Sequence, residues 1–300
     1  MVNEDLFCES FLQGTTAVYN GRMDTELKIR LGVFLGILCF MVLWEQVGCR
    51  RSAGAGRWLH RLWNLALVVV DTLCLRVVAI ILMTGMAMGV AKWCEINGVG
   101  VLHWVPLPHA VTVVLGFLVL DFAIYVQHVV SHKVPMLWAF HKVHHSDLHM
   151  DATTALRFHP VEILLSMGYK MLLVFIFGVP VLGVLMLEVL LNGAAMFNHG
   201  NVRIPLGLDR VLRWFVVTPD MHRIHHSVIR VEADSNYGFN LSWWDRLCGT
   251  YRQEPKSGHL GMVLGISRYR DAAALNLVTL LKMPFIKESV GESVEENDGS

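Results

Sequence analysis

The sequence predicts an all-α, polytopic membrane protein with about four to five spans, two of them closed into a helical hairpin. Three observations carry that prediction. Hydrophobic residues make up 54% of the chain and charged residues only 17%, against about 25% charged in soluble domains. The apolar residues gather in runs near the length of about 20 residues that a helix needs to cross a bilayer. Eight histidines fall into three tight groups, each just beyond such a run.

Taken in order, Leu31–Val47 supplies a first, slightly short span. Residues 65–91 supply a second, longer one, interrupted by Asp71 and Arg76. Both are costly in lipid and are expected to face protein or to lie near the interface. Residues 110–127 give a third span with Asp121 near its end. Residues 163–197 are about twice one short span, with Gly178-Val179-Pro180 in the middle. Proline removes a helix hydrogen bond and glycine eases a turn, so this stretch reads as a tight hairpin, with one bent helix as the alternative. The N-terminus (Met1-Val2-Asn3-Glu4-Asp5) is acidic and the first apolar run begins only near Leu31. That is a poor match to a cleavable signal, so the run is expected to stay as an anchor. The six cysteines form no C-x-x-C pair, which speaks against a disulfide framework or a thiolate zinc site. A formal net charge of zero offers nucleic acid no basic footprint.

Charge sets the orientation. Arg50, Arg51, Arg57 and Arg61 follow the first span, and basic loops favour the cytoplasm. The third span then returns the chain to that side, and a hairpin keeps it there. All three histidine groups thus share one membrane face, and a single crossing over 163–197 would separate the third group from the others. Trp214, Trp243 and Trp244 suit the lipid interface. The acidic tail after Lys287 has the composition of a disordered segment.

The groups read His128 and His132; His141, His144 and His145; His222, His225 and His226. Residues four apart share a helix face, and so do i, i+3 and i+4. Imidazole is the commonest metal-binding side chain, and eight exceed what one tetrahedral zinc takes, so the pattern points to two ions at a membrane surface. The zinc-protease signature H-E-x-x-H is absent. An apolar substrate in a bilayer offers few bonds to hydrolyse, whereas oxidising a C–H bond needs a redox metal and dioxygen. That argument selects iron, although ligand type alone admits zinc or manganese.

At these residues the chain resembles the fatty acid hydroxylase superfamily, also called the sterol desaturase family, of membrane di-iron oxygenases. The matching text comprises His128 to His132, His141-Lys-Val-His-His-Ser146, Thr153 to Glu162, Asn198-His-Gly-Asn201, His222-Arg-Ile-His-His-Ser227 and Asn236 to Thr250. The resemblance implies four to six membrane helices beneath a cytosolic helical cap holding two irons. It implies a division into an N-terminal anchor region (1–109), a catalytic domain (110–255) and a partly disordered C-terminal tail (256–300). As ligands it implies His128, His132, His141, His144, His145, His222, His225 and His226, with His199 as an extra one. His159 is either a ligand or a neighbour of one, while His149 reads as a solvated loop residue. His60, His103, His109 and His259 read as structural. Asp121, Asp147, Asp220 and Asp245 are placed to accept from ligand imidazoles, with ordinary ion pairs or caps as the alternative.

The activity implied is hydroxylation or desaturation of a lipid drawn from the bilayer, with dioxygen as co-substrate. The sequence holds no haem-binding His-Pro-Gly-Gly stretch and no dinucleotide fingerprint. Electrons are therefore expected from a separate protein, cytochrome b5-like or ferredoxin-like. A zinc-dependent lipid hydrolase or isomerase is the rival reading.

Overall fold

The computed structural model describes residues 22–52, 56–82 and 86–286. Helices α1 (Arg22–Val47), α2 (Arg57–Leu82), α3 (Met86–Asn97), α4 (His109–Lys133), α5 (Pro135–His145), α6 (Pro160–Phe177) and α7 (Val181–His199) form the larger part. Short helices follow: α8 (Leu206–Leu212), α9 (Pro219–His225), α10 (Arg230–Ala233), α11 (Trp243–Leu247), α12 (Gly258–Gly261) and α13 (Leu277–Lys282). Among the described residues there is no β-strand, only isolated bridges such as Cys49 to Val202. Of the described residues, four helical segments are long and apolar enough to cross a membrane: Arg57–Ala79, His109–Lys133, Pro160–Phe177 and Val181–His199. Leu31–Val47 is a shorter apolar stretch within α1.

The 163–197 run is a hairpin. Gly178 ends α6 in the left-handed conformation (φ 63°), its N–H bonding to the Val174 carbonyl, which is how glycine closes a helix. Gly100 lies against this turn so closely that a Cβ there would fall 2.1 Å from the Gly178 nitrogen. Ala91, Val174, Val179, Val184 and Leu187 are fully buried beside it. The turn is thus pinned at the end of the bundle remote from the histidines.

The second apolar run is not one span. Its helix starts earlier, at Arg57, and ends at Leu82, and α3 is a separate helix; the residues between them lie outside those described. Hydrophobicity marks what avoids water, not where the backbone bends. Small residues of α3, Ala87 and Ala91, are buried, and the helix packs on α6 and α7. Asp71 is buried. Arg76 is exposed, about 28 Å of helix beyond Arg57 at 1.5 Å per residue.

At the histidine end, a polar layer ties the spans to the cap. Arg61 bridges Glu45 (2.5 Å) and Asp151 (2.7 Å). His60 meets Asp147 at 2.7 Å. Arg157 donates to the Val143 carbonyl, the Ser146 hydroxyl and the Asn64 side chain. Arg50 pairs with Asp220 at 3.0 Å. C-terminal residues also pack here, since Leu280 and Met283 are fully buried with Leu67 and Val143. The acidic stretch read as disordered, and the acidic N-terminus, lie outside the described residues.

Candidate metal centre

Local sequence sets each histidine in place. Val134 is extended and Pro135 restarts the helix, so α4 ends and α5 departs at a new angle. His128 and His132 occupy the last turns of α4, and His141, His144 and His145 the end of α5. His199 is the last residue of α7. Thr218 caps α9, its side chain accepting from the Met221 N–H, and Pro219 sits in the first turn, where its missing N–H costs nothing. That short helix presents His222 and His225, with His226 at its end.

The nine imidazoles converge in two buried groups. His128, His132, His141, His145 and His225 form one; His144, His199, His222 and His226 form the other. Within each group the candidate ligand nitrogens all lie within 4.8 Å of one another. The groups do not follow the sequence clusters. In each HxxHH motif the i and i+4 rings stay together and the i+3 ring crosses to the neighbouring group. His145 stacks on His226 (4.5 Å between centroids) and His222 on His225 (5.1 Å), forming the wall between the two groups.

The outer ring nitrogens fix how the rings point. His128 Nδ1–H donates to the Tyr237 carbonyl (2.7 Å), His199 Nδ1–H to the Ala195 carbonyl (2.7 Å) and His225 Nδ1–H to the Ser235 carbonyl (2.8 Å). His141 Nδ1 bonds to Glu162 Oε1 at 2.6 Å, and His132 Nδ1 lies 3.4 Å from Asp234 Oδ1. The four hydrogen bonds select the tautomer that leaves Nε2 as a lone-pair donor; His132 Nδ1 makes none, and Asp234 acts on it by charge alone. The loop supplying two of these carbonyls is itself held. Asp245 accepts from the N–H groups of Tyr237 (2.7 Å) and Gly238 (2.8 Å), and the Asn236 amide donates to the Met221 and Arg252 carbonyls.

These nitrogens suit metal ions. Nε2 of His128, His141 and His225 is buried without a hydrogen-bond partner. His199 Nε2 lies 3.1 Å from Nε2 of each of His144, His222 and His226. A single N–H cannot serve three acceptors at once, and bare lone pairs at that distance repel. Nitrogens each about 2.1 Å from a shared ion sit about 3.0–3.4 Å apart for right-angled to tetrahedral arrangements. The rings are also in the ligating state. Burial, reinforced by neighbouring imidazoles, holds His144, His145, His222 and His226 well below the ordinary histidine value and His225 at about 3.

Other expectations divide. His159 lies away from both groups, its Nδ1 accepting from the Val161 N–H and its Nε2 facing the Leu281 carbonyl (3.2 Å); it caps α6. Of the four aspartates proposed as imidazole partners, none serves a ligand candidate. Asp121 accepts from Asn240 and the Trp244 indole, which also seats Trp244 against α4. Asp147 binds His60 and Thr154; Asp220 binds Arg50 and Arg223; Asp245 holds the 237–238 backbone. The carboxylates that do approach, Glu162 and Asp234, were missed. Glu162 sits in the first turn of α6, and its distance in sequence from His141 gives no cue. Asp234 is two residues from Asn236, where the matching text resumes, and that proximity was the available signal.

Residues 113–250 match the family model of the fatty acid hydroxylases. The chain is 30% identical over 194 residues to ornithine lipid hydroxylase OlsE of Rhizobium tropici, covering 63% of this chain and 56% of that protein. It is 30% identical over 160 residues to alkylglycerol monooxygenase of Xenopus tropicalis, covering 52% of this chain and 34% of that protein. It is 28% identical over 172 residues to human cholesterol 25-hydroxylase, covering 51% of this chain and 60% of that protein. No solved structure matches. Residues 113–250 are thus similar to the fatty acid hydroxylases, and the chain spans only about a third to three fifths of the relatives named.

Proposed function

We propose that the chain is a membrane-bound oxygenase that hydroxylates or desaturates a lipid, with two iron ions held by the nine converging imidazoles. The carrying observation is the pair of buried groups whose Nε2 atoms face common centres. His128, His132, His141, His145 and His225 hold one ion; His144, His199, His222 and His226 hold the other. Bound iron supplies the activation of dioxygen for attack on an unactivated C–H bond. The remaining tasks fall to the chain. Glu162 and the Tyr237, Ser235 and Ala195 carbonyls fix the rings. A cavity of about 340 Å³, lined by Phe34, Val68, Leu75, Ile124, Met167 and Leu191 among others, reaches His128 and His141 from membrane level. Its mainly apolar wall admits a lipid chain and excludes water from the reacting carbon.

Catalysis resides in 110–255, with 1–109 as anchor and supporting layer and 256–300 as a tail. The centre faces the cytoplasm, a reading supported by Arg50, Arg51 and Arg61, which lie on the histidine side and bond to Asp220, to the His259 and Met262 carbonyls and to Asp151. Electrons come from a separate protein, cytochrome b5-like or ferredoxin-like. The relatives are named for an ornithine lipid, alkylglycerol and cholesterol, which supports a lipid substrate here.

The test is metal content together with turnover of extracted lipids under labelled dioxygen. The expected result is about two irons per chain and label in one lipid class, or a new double bond with label in water. Replacing His144, His145 or His225 by Ala should abolish product and lower bound iron. Full turnover without dioxygen or reductant, on zinc, would overturn this reading in favour of a lipid hydrolase or isomerase.

A further inference from the structure

Polar side chains also line the cavity: Asp71, Gln127, Glu162, Ser166, Lys170 and Asn192. Most are matched within the protein. The Ser166 hydroxyl donates to Gln127 (3.3 Å), Lys170 pairs with Glu188 (3.1 Å), the Asn192 amide donates to the Glu188 carbonyl and Glu162 holds His141. Asp71 differs. It is 7% exposed, and its Oδ1 is buried with no hydrogen-bond partner. A buried carboxyl oxygen left unmatched opposes folding, and an ionisable residue inside a span marks a functional site by default.

Depth gives the residue its meaning. On α2, Asp71 lies seven residues, about 10 Å, beyond Asn64, which belongs to the polar layer beside the histidines. On α7, Asn192 lies seven residues, again about 10 Å, before His199. The polar floor of the cavity therefore sits about two helical turns below the imidazoles. A hydrocarbon filling the cavity would leave Asp71 unmatched. A lipid with a donor at that depth would match it.

We propose that Asp71 Oδ1 accepts a hydrogen bond from a donor on the lipid, a hydroxyl, amide N–H or ammonium, and so selects amphipathic substrates over plain hydrocarbon chains. This rests on the reading of the cavity as the substrate's. Asp71 sets which lipid is held and at which carbon it meets the centre.

The experiment uses the full chain in detergent, loaded with iron, and three probes sharing one hexadecyl chain: 1-hexadecanol, hexadecylamine and methyl hexadecyl ether. Affinity is read from the ligand-dependent rise in melting temperature, with metal content as a control for the centre. In the wild type, at least one donor-bearing probe should bind about tenfold more tightly than the ether, a ratio set by one buried hydrogen bond. Binding by the amine alone assigns an ammonium; binding by the alcohol as well assigns a neutral donor. Asp71→Leu should erase the preference while keeping the iron. Asp71→Asn should keep the alcohol and lose the amine, and it serves where the leucine variant does not fold. Equal binding of all three probes by the wild type, or an undiminished preference in Asp71→Leu, overturns the proposal. Absence of dioxygen-dependent turnover with the preference intact would instead remove the oxygenase reading and leave Asp71's role standing.

Discussion

Replacing Glu162 tests the metal centre without touching a ligand. Its carboxylate meets His141 Nδ1 at 2.6 Å, and its side chain is only 13% exposed. Glu162→Ala removes a charge-assisted bond that both aims Nε2 and raises its basicity. Outer partners of this kind are worth about 10–100-fold in metal affinity, or about 1.4–2.7 kcal/mol. That range agrees with about 1.5–3 kcal/mol for a hydrogen bond to a charged group. Glu162→Gln keeps an acceptor without the charge and should fall at the mild end, since neutral bonds are about half as strong. Asp234 lies 3.4 Å from His132, so Asp234→Ala should cost less than Glu162→Ala. The assay is a chelator titration of the purified protein, following iron per chain. Because Glu162 supports only the five-imidazole group, one ion should leave early and the other late. Unchanged release of both ions from Glu162→Ala would refute the argument, and so would a larger effect from Asp234→Ala.

Two further outcomes follow from the same geometry. In the metal-free protein, His144, His145, His222, His225 and His226 are held below the ordinary value of about 6.5. The unfolded chain therefore binds more protons than the folded one as pH falls through 6.5. Each ring then costs about 1.4 kcal/mol per pH unit, and for His225 the loss runs down to about pH 3. Denaturant melts of apoprotein at pH 7.5 and 5.5 should show a large fall in stability at the lower pH, and equal midpoints would contradict the buried neutral rings. His159→Ala should leave iron content unchanged and cost about 1 kcal/mol, the worth of a helix cap; loss of an ion on that substitution would restore His159 as a ligand.

Elements with strong local periodicity or punctuation could be read from the sequence. Gly178-Val179-Pro180 announced the hairpin because a left-handed cap and a helix start are written in adjacent residues. The histidine groups announced a centre because i, i+3 and i+4 spacing is a property of one helix. What escaped depends on how helices meet. The exchange of His144 and His225 between groups depends on how α5 and α9, far apart in sequence, come together around the rings. The break after α2 is invisible to hydropathy, since α3 is apolar in its own right. Aspartates near a cluster in sequence are taken by other partners: Asp147 by His60, Asp220 by Arg50 and Arg223, Asp245 by the 237–238 backbone. Glu162 reached His141 from another helix, and nothing local encodes that meeting.

The division of the rings between two groups orders events during synthesis. As the chain emerges, α4 and α5 deliver His128, His132, His141 and His145, four of the five rings of one group, but only His144 of the other. The remaining three rings of that second group arrive with or after the hairpin. On the proposed assignment, the second ion has nowhere to bind until both hairpin legs are threaded into the bilayer. A nascent chain stalled before residue 199 would capture one metal at most, which makes completion of membrane insertion the checkpoint for assembling the pair.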